Sequence, residues 1–439
     1  MSLLERWTPF LSAPVTLSFP TLELLADGHE PPIAIGHGEV VSPDLHRFEY
    51  TLVARPTDLA RAMRAIRRID EEPYDGTARL RLVGTDADGV EWMLGWTAPR
   101  YEIGADSWRF TGDLDSLIPT SGEIAGAPGT ELRYVVPDAS RMHWIFAQTV
   151  ITPVEGSAAL RERVLEVLGA YIRLAYDPIE RVLTLRATPS LALPITYAEN
   201  WISEPFRILF GQLISPRLVG RQTDATSGLV FIATTAKRIP EAGWAALWDD
   251  ARMNREDFWP LYSQLLTYLA LAPRAPADGL EPHTLTRYYH EIILASRGSR
   301  WVWAMTFASA IEGLVKLIAP DPLPPNQPAI DAIVAHIQGA PEIAEDLKGP
   351  AIAAVTSLDR ASAMDKIRAL EAQGVVTARQ RKAWAKLRNS VMHGRLVSPY
   401  SDRTEDDRLI ALAEMTHALT LRLVRGGSSP VAAPALEAP

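Results

Sequence analysis

Hydrophobic periodicity changes once along this 439-residue chain, and that change limits the fold more than any other feature. Over the first 150 residues apolar side chains mostly alternate, as in RFEYTLVA at 47–54, which turns one face of a strand toward a core. From about residue 284 they recur every three or four positions, which does the same for one face of a helix. One element cannot satisfy both periods, so the chain divides. The segment LAPRAPADGLEP at 271–282 is proline-rich, has little to bury, and marks the boundary. The expected class is α+β: a large β-rich N-terminal domain over 1–275, its second half mixed α/β from about 156, then an all-α helical bundle over 281–425. The last residues, 426–439, are rich in Gly, Ser, Pro and Ala and are expected to be disordered.

In the first part, strands are expected at 47–54, 78–83, 90–97, 108–111 and 131–136, with Asp88-Gly89 turning a hairpin and one helix over 57–69. A β-sandwich or barrel with that helix packed on it follows. Trp92, Trp96 and Trp108 stand on these strands, where tryptophans serve either a core or a ligand platform. The run Gly36-His37-Gly38-Glu39 reads as a turn leading into a strand. Further along, 158–172 is expected to be an amphipathic helix, 181–187, 206–214 and 228–234 strands, the second of these open to helix as well, and 256–271 a helix. The C-terminal part predicts helices at 284–296, 299–318, 329–337, 343–358, 361–373, 377–393 and 404–424.

Composition removes several chemistries. Cysteine is absent, which excludes disulfides, thiolate metal sites and cysteine nucleophiles. Forty-four Lys and Arg against 53 Asp and Glu leave a formal charge of −9, which argues against a protein that coats nucleic acid non-specifically. The acidity is uneven: residues 281–439 hold 18 basic and 17 acidic side chains, so the excess lies before them. Near the N-terminus, Glu5, Arg6, Pro9 and Pro14 interrupt any signal-peptide core. The most apolar stretch, 301–319, carries Glu312 and Lys316 four apart on one helical face, which suits an amphipathic or buried helix rather than a membrane span. A cytoplasmic protein is expected. The chain lacks GxxxxGK[ST], HExxH and GxSxG, and its nine histidines lack metal-site spacing, so neither metal nor cofactor is expected.

One segment concentrates chemistry. RQRKAWAKLRNSVMHGR at 379–395 holds six Arg and Lys and no acid. At 100° per residue Trp384, Leu387 and Val391 form an apolar stripe, and Lys382, Lys386, Asn389 and His393 fall opposite it. Arg388 lies at the stripe's edge, where its stem packs and its head emerges. Gly394 reads as the helix stop, placing His393 in the last turn. The same face can equally be a solvated cationic surface.

Arg388-Asn389-Ser390-Val391-Met392-His393, followed by Gly394, resembles the Arg-polar-x3-His signature of HEPN domains, helical bundles that include metal-independent ribonucleases. Ala310-Ile311-Glu312-Gly313-Leu314 is similar to the acidic sequence in the first long helices of those proteins. Glu312 then pairs either with the motif arginine or with Lys316. A β-rich N-terminal domain before such a bundle is similar in plan to ApeA-like anti-phage, abortive-infection proteins. Where some members carry a tyrosine two residues past the histidine, this chain has Arg395.

The resemblance implies an endoribonuclease, a homodimer through the C-terminal bundle, and a site shared across its two-fold axis. Arg388, Asn389 and His393 would be catalytic, Glu312 supporting, and Lys382, Lys386 and Arg395 RNA-binding. The N-terminal domain would sense a phage-derived trigger. The alternative is a non-catalytic bundle, dimerising or nucleotide-binding, that serves a ligand- or protein-binding N-terminal domain.

Overall fold

The computed structural model describes residues 4–26, 31–72, 74–120, 128–136, 139–147, 150–152, 160–194, 196, 198–223, 228–248, 253–272, 282–318, 327–357, 362–392 and 402–426. The chain forms two compact units. One comprises Met1–Arg207, Leu213–Arg238 and Trp248–Pro282; the other comprises Ile208–Gln212, Ile239–Leu247 and the chain from His283 onward. The expected boundary and tail fall largely outside the described residues.

The first unit carries the strands: β1 (Val15–Leu25), β2 (Ala34–Asp44), β3 (Arg47–Pro56), β4 (Leu80–Thr85), β5 (Glu91–Thr97), β6 (Arg100–Ile103), β7 (Trp108–Leu114) and β8 (Ser116–Pro119) come first. They are followed by β9 (Gly129–Val135), β10 (Val150–Thr152), β11 (Leu160–Val167), β12 (Ala170–Asp177), β13 (Val182–Thr188), β14 (Leu218–Gln222) and β15 (Gly228–Ala233). They hydrogen-bond in one order, β10-β11-β12-β13-β9-β14-β15-β8-β5-β4-β1-β2-β3-β7-β6. A single sheet therefore stands where a sandwich or barrel is expected, and the inward faces of β1–β5, β7, β8 and β15 close on one core. Trp92 is buried in that core at 5.4 Å from Trp7 and 6.1 Å from Phe19, and Trp108 is buried too, stacked on Tyr101 at 5.8 Å. Trp96 alone of the three is exposed, so they form no joint ligand platform.

Several local readings hold. Asp86 accepts from the Asp88 and Val90 amides, and Gly89 takes φ +78°, closing the β4–β5 hairpin. The helix α1 (Leu59–Glu71) starts at Asp58, whose carboxylate caps Arg61 N–H. Gly36–Glu39 lies within β2, paired to β3, and is no turn. Two further corrections are larger. Of the helix expected over 158–172, the described residues 160–172 belong instead to the β11–β12 hairpin, turned by Leu168 (φ 51°) and Gly169 (φ 76°), both in the left-handed region that matches the strand twist. The segment 206–214, expected as strand with helix left open, is the end of α3 (Ala198–Phe210) and the residues after it. Those residues are buried on nearly every side, so no period distinguishes helix from strand there.

Arg217 ties this unit together. It is fully buried, donating to the carbonyls of Phe10 (2.9 Å) and Ala233 (2.8 Å) and to Ser42 Oγ (2.8 Å), with its guanidinium 4.5 Å from the Phe48 ring. Burial pushes it down to about 10, so it stays charged at neutral pH. The unit's other helices are α2 (Ala139–Ile145) and α4 (Phe258–Leu271).

The second unit holds α5 (Thr284–Ala295), α6 (Arg300–Ile318), α7 (Gln327–Gly339), α8 (Glu345–Ser357), α9 (Ala363–Ala372), α10 (Ala378–Met392) and α11 (Arg403–Gly426). Trp303, Phe307, Ile311 and Leu314 are buried along α6, which packs against α5, α9, α10 and α11. Among the described residues α6 is the one helix long and apolar enough to cross a membrane, and it is a core helix of this bundle. Segment 239–247 belongs to the same unit: Gln212 bonds Ile239 through both backbone groups, and Trp244 stacks on Trp303 at 5.5 Å.

Candidate active site

The site is built on α10, and two local devices fix where that helix starts. The α9 end closes with Val375 N–H on Leu370 O and Gly374 N–H on Glu371 O, both at 2.9 Å, the reciprocal pattern of a left-handed helix stop. Thr377 and Gln380 then cap α10 mutually: Gln380 N–H donates to Thr377 Oγ1 (3.2 Å) and Thr377 N–H to Gln380 Oε1 (2.8 Å). The T-x-x-Q spacing is a capping signal in the sequence itself, straddling the start of the charge run at 379.

Along α10 the expected faces separate. Trp384 and Leu387 are buried, and Trp384 Nε1–H donates to the Ala308 carbonyl of α6 at 3.1 Å. Lys382, Lys386 and Asn389 are exposed and have no hydrogen-bond or ion-pair partner among the described residues. The side chain of Val391, and His393, Gly394 and Arg395 altogether, lie outside the described residues.

The six cations have different duties. Arg379 pairs with Glu414 of α11 at 3.2 Å, and Arg381 pairs with Glu371 of α9. These two hold the bundle. Arg388 Nε lies 3.4 Å from Glu312 Oε2, one turn beyond the Trp384–Ala308 bond, and its guanidinium sits 5.6 Å from the Trp384 ring. Lys316 Nζ lies 3.4 Å from the other oxygen, Glu312 Oε1. The two pairings open in the sequence are therefore both made, one to each carboxylate oxygen.

Gly313 explains why glycine follows Glu312. A Cβ there would stand 2.0 Å from the Tyr288 hydroxyl, so the bare backbone admits the α5 ring against α6. Chemically, the arrangement offers a half-buried guanidinium on a carboxylate tether, beside an open face with two ammonium groups and an amide. It holds no group of three or more His, Asp or Glu that would take a metal, among the described residues.

No protein-family model, curated protein or solved structure matches the chain.

Proposed function

We propose that the chain is a metal-independent endoribonuclease of the HEPN type, acting in the cytoplasm as an ApeA-like anti-phage, abortive-infection protein. The observation that carries this reading is the Arg388–Glu312 pair joining α10 to α6 beneath an unpartnered face of Lys382, Lys386 and Asn389. A carboxylate that touches Arg388 through Nε fixes the guanidinium plane and leaves its terminal nitrogens for a phosphate. His393 takes the proton of a ribose 2′-OH as that oxygen attacks the adjacent phosphorus. Arg388 stabilises the charge gathering on the phosphoryl oxygens. The bond from phosphorus to the 5′ oxygen breaks, and the imidazolium returns its proton to the leaving oxygen, giving a 2′,3′-cyclic phosphate and a 5′-hydroxyl. Lys382, Lys386 and Arg395 follow the RNA backbone, and Asn389 orients the imidazole or the phosphate.

The test is cleavage by purified chain. Arg388→Ala and His393→Ala are each expected to abolish cleavage and growth toxicity with circular dichroism unchanged, and EDTA is expected to leave the parent rate intact. Variants that cut RNA at the parent rate, or a strict metal requirement, reject the assignment. A second reading rests on the same pair: Arg388 engaged by Glu312 and lying against Trp384 also suits a purely architectural arginine in a non-catalytic bundle. Folded, fully toxic His393→Ala would favour it.

A further inference from the structure

The outer face of β9, β13, β12 and β11 carries a pattern that its own stability does not require. Arg173 and Arg186 are direct cross-strand partners on β12 and β13, an arrangement in which like charges repel. Each is anchored from behind. Arg173 Nη2 meets both oxygens of Glu162 at 2.7 Å, and Arg186 Nε meets Glu131 Oε2 at 3.3 Å. Glu131 is in turn gripped by Arg133, which reaches on to Thr8 Oγ1 at 2.8 Å.

Exposure decides which charge a ligand meets. The carboxylates are sunk, with side chains 3% exposed for Glu131 and 18% for Glu162, whereas Arg173 and Arg186 are 53% and 52% exposed. Nε and Nη1 of Arg173 and both terminal nitrogens of Arg186 have no partner among the described residues. A buried acid, Glu131, and a partly covered one, Glu162, thus hold two guanidiniums in place and leave four donor nitrogens open, the requirement for gripping a phosphate at several oxygens.

The pair sits where two hollows meet. On one side is a hollow of about 430 Å³ that includes Tyr171, Val164 and Thr188, without an acid beyond the sunken Glu131. Tyr171 is two residues from Arg173 on the same face, about 7 Å along the strand, and is 56% exposed. That spacing suits a phosphate on the arginines and an aromatic base on the tyrosine ring. On the other side is a cleft of about 850 Å³ whose lining includes Glu162, Asp177 and Glu180. A longer phosphate chain would run into those acids.

We propose that the Arg173–Arg186 pair with Tyr171 binds a nucleoside monophosphate, the phosphate on the two guanidiniums and the base on the tyrosine. The site lies wholly in the β unit and does not depend on the ribonuclease reading. Isothermal titration of the full chain with AMP, GMP, CMP and UMP, with inorganic phosphate and ATP as references, tests it. At least one monophosphate is expected to bind, with ATP about tenfold weaker. Arg173→Ala and Arg186→Ala, both at exposed positions, are each expected to weaken that binding about tenfold or more. Tyr171→Ala should erase the advantage of the nucleotide over inorganic phosphate, and Tyr171→Phe should keep it. Binding of none of the four, binding indifferent to both arginine substitutions, or uptake of a neutral oligosaccharide in preference overturns the proposal.

Discussion

Glu312 touches two cations, and the exposure of all three side chains fixes what those contacts contribute. Arg388 and Glu312 are 42% and 30% exposed and Lys316 more so, so solvent screens both pairs and each contributes about 0–1 kcal/mol. Trp384, buried and bonded to Ala308, accounts for far more, since truncating such a side chain costs about 3–5 kcal/mol. The pair therefore positions Arg388 at little gain in stability, and its terminal nitrogens stay open to a phosphate while Glu312 remains on Nε. Gly313 gives the sharpest residue-scale prediction. Gly313→Ala alone should gain little or lose stability, because the added methyl must displace Tyr288. In a Tyr288→Ala background the same change should stabilise by about 1 kcal/mol, the helix preference of alanine over glycine. A denaturation double-mutant cycle reads this change of sign.

At the scale of elements, turns and caps settle what periodicity leaves ambiguous. Leu168 is a leucine in the left-handed region, at a position where asparagine followed by glycine is the favoured hairpin turn. Leu168→Asn should relieve part of a left-handed backbone cost of about 1–2 kcal/mol and so raise the melting temperature. The α9 cap carries a pH dependence. Ser362 donates to Asp365 Oδ2 at 2.6 Å and accepts Asp365 N–H, and chiefly this hydroxyl holds the Asp365 carboxyl below its ordinary 3.8. A carboxyl lowered by folding stabilises above its unfolded value, and that contribution fades as pH falls through the folded one. Acidification from about pH 5 to about pH 2 should therefore cost the parent more stability than Ser362→Ala, as melts at the two pH values would show. Arg217 has the same sign at the other end of the scale: burial depresses its folded value to about 10, so the charged side chain carries a cost that is flat through neutral pH and is relieved only as pH rises above about 10.

For the whole molecule, the proposed reading shares the site between two chains, so that Arg388 of one would stand beside His393 of the other, the two being five residues apart in sequence. Co-expressed Arg388→Ala and His393→Ala chains should therefore regain about a quarter of parental cleavage, as half of the dimers carry one intact composite site. Cleavage that stays at background in the mixture would argue for a site within one chain. The division into a strand-rich and a helical part is legible from periodicity because each period is enforced along a whole element by one buried face. The seven C-terminal helices and the stripe of α6 follow from it. So does the buried side of α10, since Trp384 and Leu387 have only one apolar direction to face. What the sequence could not determine depends on neighbours distant along the chain. The β11–β12 segment satisfies both periods, and pairing with β13 selects strand. The 206–214 segment is apolar almost all round, and packing selects helix. Segment 239–247 joins the helical unit through Gln212 and Trp303. Arg173 and Arg186 become a pair only through strand register. The amino-acid order by itself determined which residues must be buried and, wherever only one face is apolar, at what period. Tertiary structure alone decided which charges share a carboxylate and which stand open, because ion pairs form between side chains brought close by the fold, and local sequence carries no record of that distance.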